Sequence, residues 1–136
     1  MKYDTTNITE KYFIERDILY PDNKLYRRIP VITVDNYVEL GQITAIRFLE
    51  WVCRNPGGVI ALPTGKTPEF FIRWVQYYLE NWDKEVNNGL LSTIGFDPKW
   101  KPDMGSLTFF QLDEFFPINP EHERSFNYFV TNFYIK

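Results

Sequence analysis

Two short stretches carry residue types able to do chemistry, Thr64-Gly65-Lys66-Thr67 and Asp113-Glu114. In the first, a glycine, a lysine and two hydroxyls stand between an apolar run and Pro68, where a helix can begin. A strand leading through such a loop into a helix aims free N–H groups and the positive end of the helix dipole at one spot, which suits a phosphate. Gly65 permits a positive φ and a close approach, and Thr64 and Thr67 add hydroxyl donors. In the second stretch, two carboxylates follow directly on the apolar run SLTFFQL, residues 106–112. That is the carboxyl end of a strand, where open α/β sheets bind ligands. A carboxylate there, facing a phosphate-anchored sugar, can act as a general base on a carbon next to a carbonyl.

Gly65-Lys66-Thr67 also ends a nucleotide-binding P-loop, and that reading fails on spacing. The motif needs a glycine five positions before its Gly-Lys pair, and Ile60 stands there. The loop is short, and Pro63 has no N–H to offer a phosphate. A dinucleotide-binding G-x-G-x-x-G is absent from the sequence.

The elements that must position these residues read as an alternation. Residues 1–29 are expected to be an arm wrapping the domain, with NITEKYFIERD its one helix-forming stretch. IPVITV, residues 29–34, is short, β-branched and apolar and reads as a buried strand. Asp35 stands where a helix N-cap would, and Val38, Ile43, Ile46, Phe48, Leu49 and Val52 recur at helical spacing until Asn55-Pro56-Gly57-Gly58 stops them. GVIALP, residues 58–63, reads as a second strand, and Phe70, Phe71, Trp74, Val75, Tyr78 and Leu79 as the face of the helix after the loop. Between 82 and 105, breakers leave room for one short helix near Val86–Leu91. SLTFFQL reads as a third strand and SFNYFVTNFYI as a last helix. This order predicts an α/β fold, a three-layer Rossmann-like open parallel sheet with helices on both faces, incomplete as it stands. The arm at 1–29 and one domain at 30–136 are its divisions.

Composition narrows the function classes. A length of 136 residues is one domain, and 44% hydrophobic against 24% charged residues is a globular balance. The net charge of -3, with no basic cluster longer than Arg27-Arg28, argues against nucleic acid as a partner. A single cysteine, Cys53, excludes an internal disulfide and fits a reducing compartment; late in a helix, it is expected to be a small buried residue. Neither a signal peptide nor an apolar run of about 18 residues is seen, so a cytoplasmic protein without a membrane partner is expected. Trp51, Trp74 and Trp82 are expected in the core.

LPTGKTP followed by LDEFFPINPEHERSFNYF resembles the amino-terminal half of the glucosamine-6-phosphate deaminase (isomerase) family, in the superfamily that includes 6-phosphogluconolactonase. The likeness covers roughly residues 30–134, and Glu121-His122 with Ser125-Phe126 favours the deaminase branch. The resemblance implies that Thr64, Gly65, Lys66 and Thr67 hold a sugar phosphate and that Asp113 moves a proton between C2 and C1 of the opened amino sugar. Glu114 and His122 would be supporting residues. The implied reaction takes glucosamine 6-phosphate and water to fructose 6-phosphate and ammonia, with neither organic cofactor nor metal.

Two departures qualify what is carried over. Where the family most often has Gly, Ser or Arg, this chain has Lys66. The family's ring-opening D-x-H-x-x-x-N-E-P segment has no counterpart before Lys136, so the chain alone is expected to be inactive. An open sheet with half its strands exposes an edge that is normally covered, and a homo-oligomer or a missing carboxyl-terminal half is the expected protein partner. The other readings are a non-catalytic sugar-phosphate binding or regulatory module and an interaction domain.

Overall fold

The computed structural model describes residues 7–17, 31–65 and 67–134. The helix-forming stretch near the amino terminus is α1, Ile8–Arg16, capped by the Asn7 side chain, which accepts the Glu10 N–H at 2.8 Å. What ties it down comes from elsewhere in the chain. The wholly buried Glu50 carboxylate accepts the N–H groups of Ile8 and Thr9 at 2.8 and 3.1 Å and the Thr9 hydroxyl at 2.7 Å. An anion at a helix N-terminus meets both the unpaired N–H groups and the dipole.

The long helix α2 spans Tyr37–Arg54. Its cap is Asn36, one residue later than expected, because the Asn36 side chain reaches the Glu39 N–H at 3.0 Å while Asp35 donates its own N–H to the Glu39 carboxylate at 2.8 Å. No strand is seen ahead of it among the described residues. Residues 31–34 have no regular secondary structure, and 29 and 30 lie outside the described residues. An apolar, β-branched run becomes a strand only where a ladder partner is at hand, and no described strand lies beside this one.

The two predicted strands that form are β1, Val59–Leu62, and β2, Thr108–Gln111. Between them lie α3, Glu69–Glu80, and two short helices, α4, Trp82–Asn88, and α5, Leu90–Ile94, where one was expected. The break falls at Gly89, where the Glu85 carboxylate accepts the Leu90 N–H at 3.0 Å and so satisfies the start of α5. The last predicted helix is α6, Phe126–Phe133.

The core is the seam between α2 and α3. Ala45, Ile46, Leu49 and Val52 meet Phe71, Ile72, Val75 and Tyr78, and Trp82, Val86, Leu91, Ile94 and Phe96 extend the cluster. Full burial of a side chain such as Ile46 or Leu49 contributes about 1.5–3 kcal/mol. Trp82 is buried, and Trp51 and Trp74 pack partly buried against the same cluster. Cys53 is half-buried there, and burial, aided by the Glu50 charge, pushes its thiol up to about 11.

β1 and β2 pair in parallel, Val59 with Thr108 through Leu62 with Gln111, and are the only strands among the described residues. Both alternate exposed and half-buried positions. Ile60 and Leu62 turn to the helices, whereas Val59 is 62% and Phe110 56% exposed. The described residues are therefore a mixed helix and strand fold with a small parallel sheet, compatible with the α/β class. Helices on both faces of a larger sheet are not seen among them. No helix of the described residues is long and apolar enough to cross a membrane.

Candidate functional site

The parallel register decides what meets at the sheet's carboxyl end. Leu62 is opposite Gln111, so the chain leaves β1 through Pro63-Thr64 beside the point where it leaves β2 through Leu112-Asp113. A 62-to-69 loop then carries the chain into α3. Gly65 adopts φ +90°, a conformation that strains any residue with a Cβ, and no atom crowds the position. Lys66 lies outside the described residues.

α3 begins after Pro68 with no side-chain cap. Its first-turn acid, Glu69, is drawn along the helix to Arg73, with 2.6 Å between Oε1 and Nη2. An uncapped N-terminus of a twelve-residue helix thus follows a loop carrying two threonines. Thr64 and Thr67 border a cleft of about 760 Å³ between α2, α3 and β1, whose other walls include Gly41, Leu62, Pro68 and Phe71. The cleft's polar side chains include Thr64 and Thr67 of the loop and Tyr37, Thr44, Arg47 and Trp51 of α2; the Arg47 Nε is paired to Glu10 at 3.0 Å.

Asp113 is exposed, and its backbone carbonyl accepts the Gln111 side-chain N–H at 2.6 Å. It does not border the cleft. Its neighbour Glu114 has a different job. The Glu114 carboxylate accepts the Ser125 hydroxyl at 2.7 Å and the N–H groups of Phe126 and Asn127 at 3.0 and 2.9 Å. These are the N-cap and first two residues of α6. Burial works to raise the Glu114 carboxyl, but the donors of Asn127, Ser125, Phe126 and Phe115 outweigh it and hold the group down at about 2. Glu114 is thus a fixed anion seated on a helix N-terminus.

His122 is exposed and engaged with its own loop. Its Nδ1 accepts the Arg124 N–H at 3.1 Å, and its carbonyl accepts the Ser125 N–H at 2.8 Å. With Nδ1 an acceptor, the neutral ring carries its proton on Nε2. His122 does not border the cleft either. The turn it closes presents Ser125, itself 1% exposed, to both Glu114 and the Tyr128 N–H.

Two residues missed in the sequence complete the arrangement. Just beyond α6, the Tyr134 hydroxyl donates to the Pro63 carbonyl at 2.8 Å. Helix α6 is therefore a strut, fastened to Glu114 next to Asp113 at one end and to the β1 exit at the other. Nothing in the sequence pairs Tyr134 with a residue so far away. Gly41 did carry a signal, a glycine in mid-helix, and it faces the first turn of α3. Among the described residues no group of three His, Cys, Asp or Glu is arranged to hold a metal ion.

Adjacent parallel strands, a loop entering an uncapped helix from one and a carboxylate leaving the other, are compatible with an α/β protein that has a candidate anion site at its strand ends. Comparison with known proteins agrees with the motifs. The chain is 31% identical over 103 residues to the glucosamine-6-phosphate deaminase of Clostridium tetani, and 29% identical over 102 residues to that of Clostridium botulinum. Each alignment covers 75% of this chain but only 35% and 34% of the relatives, so the chain spans about a third of the length of the curated relatives it matches. The family resemblance carried by the two motifs is borne out: three quarters of the chain is similar to glucosamine-6-phosphate deaminases. No family model and no solved structure matches it.

Proposed function

We propose that this chain forms the phosphate-anchoring and proton-transfer part of a cytoplasmic glucosamine-6-phosphate deaminase-like protein, residues 30–136 contributing to a three-layer Rossmann-like sheet and residues 1–29 forming its arm. The observation that supports it is the parallel pairing of β1 with β2, which sends the Thr64–Thr67 loop and Asp113 out of the same end of the sheet. In this reading the phosphate sits on Thr64, Gly65, Lys66 and Thr67 at the start of α3. Asp113, exposed and outside the Glu114 clamp, takes the C2 proton of the open-chain amino aldose and returns it to C1. The product is a C2 imine; water adds to it and ammonia leaves, giving the ketose phosphate. Glu114 and His122 hold the loop that carries Asp113.

Titration calorimetry of the chain with glucosamine 6-phosphate, against unphosphorylated glucosamine, tests the reading. Binding that requires the phosphate is expected. Binding of neither sugar overturns the proposal. One observation favours a second reading, a sugar-phosphate binding module without turnover: Asp113 does not border the cleft that Thr64 and Thr67 line. Release of ammonia from glucosamine 6-phosphate by this chain would exclude it.

A further inference from the structure

We infer that Gly41, on a different element from the loop, is a positioning residue for the anion site; the inference rests on the sugar-phosphate reading above. Gly41 lies in α2 and borders the same cleft as Thr64 and Thr67. A Cβ built on it would stand 2.6 Å from the Phe70 Cβ, 2.7 Å from the Phe70 carbonyl carbon and 2.8 Å from the Phe71 nitrogen. Two of those three atoms are backbone, so no side-chain rotation relieves the contact. Phe70 and Phe71 belong to the first turn of α3, immediately after Thr67-Pro68.

The absence of a side chain at Gly41 therefore sets how closely the N-terminus of α3 lies to α2. Ordinary contact begins at 3.4 Å, so any larger residue must push the first turn of α3 away by about 0.8 Å from the 2.6 Å approach. The other end of the loop does not follow that displacement. Leu62 is held in the β1–β2 ladder, and the Pro63 carbonyl by the Tyr134 hydroxyl. Between a fixed strand end and a displaced helix start, Thr64, Gly65 and Thr67 must change their relative positions. Phosphate affinity depends on those N–H and hydroxyl groups converging on one point, and each hydrogen bond to a charged group that is lost weakens binding by roughly 10- to 100-fold. A mid-helix glycine otherwise destabilises a helix relative to alanine. Close approach is what it provides in return.

The test compares Gly41→Ala with Leu49→Ala, a cavity in the same helix away from the loop, by two readouts. One is the Kd for glucosamine 6-phosphate and for inorganic phosphate; the other is the amide resonances of Thr64, Gly65 and Thr67. Gly41→Ala is expected to weaken binding of both ligands by about 10- to 100-fold and to shift the loop amides, while Leu49→Ala lowers Tm and leaves Kd within about twofold. A folded Gly41→Ala with unchanged Kd and unchanged loop amides overturns the inference, as does an equal affinity loss in Leu49→Ala. Should Gly41→Ala not fold, the double variant Gly41→Ala/Phe70→Gly, which removes the 2.6 Å contact and leaves the backbone contacts at 2.7 and 2.8 Å, is expected to show the same affinity loss and amide shifts, and unchanged values in it overturn the inference. Failure of the unaltered chain to bind either ligand sinks the sugar-phosphate reading instead, and the amide shifts then decide the role of Gly41 by themselves.

Discussion

Replacing Glu50 by alanine should release the amino-terminal helix at a large cost in stability. The carboxylate is wholly buried and holds three donors of α1: the Ile8 and Thr9 N–H groups and the Thr9 hydroxyl, with Thr9 itself fully buried. It also meets the Arg54 guanidinium at 3.0 Å, one helical turn on. The guanidinium side chain keeps 33% exposure and can turn to water, so its loss is minor. The α1 donors have no such escape while α1 stays docked. Each buried donor left unpaired costs about 1–3 kcal/mol, so losing the one acceptor of these three donors costs on the order of 3–5 kcal/mol in all. Against a domain stability of about 5–15 kcal/mol this is a severe loss, and at about 2–4 °C per kcal/mol it lowers Tm by roughly 6–20 °C. Undocking α1 is the way out, so amide exchange in α1 should rise before the α2–α3 seam opens. Thr9→Ala in the Glu50→Ala background should then add little, the two sharing one interaction. A cost below about 1 kcal/mol with α1 amides still protected would refute the argument.

Two further outcomes follow from the site. Glu114 is held at about 2, below its ordinary value of 4.5, so the ionised form is favoured in the folded chain. Its contribution is complete above pH 4.5 and is lost as pH falls from about 4.5 towards 2. Acid titration of stability should show Glu114→Gln less stable than the parent at neutral pH and the gap closing across that window; a pH-independent gap would count against the clamp. In a longer, active form of the protein, Asp113→Asn should lower kcat by at least about 100-fold, the typical worth of a general base, while Kd changes little. Unchanged turnover would remove Asp113 from the mechanism.

How much of this the sequence could show depends on the range of the forces involved. β1, β2, α2, α3 and α6 were legible because periodicity and stop signals are local: Ile43, Ile46, Leu49 and Val52 repeat at helical spacing, and Asn55-Pro56 ends them. The cap of α2 was misplaced by one residue because Asp35 and Asn36 are chemically alike, and only the reach of each side chain to the Glu39 N–H separates them. IPVITV has strand composition, but strand formation is a property of two segments, and no described partner lies beside residues 31–34. The loop and the acidic pair stood out because glycine, hydroxyls and carboxylates carry their chemistry openly, and the parallel pairing puts both stretches at one end of the strands. What holds them was not legible, since Glu50 to Thr9, Tyr134 to Pro63 and Gly41 to Phe70 are contacts between residues 29 to 71 positions apart. The acids sort by the same principle. Asp113 and Glu114 are neighbours of like charge, yet one is consumed by the N-terminus of α6 and the other is left at the open end of the sheet. That division follows from where the chain brings Ser125 back, not from either carboxylate. It is also why the adjacent pair is not two interchangeable acids: Glu114 is a brace, and Asp113 keeps an exposed carboxylate.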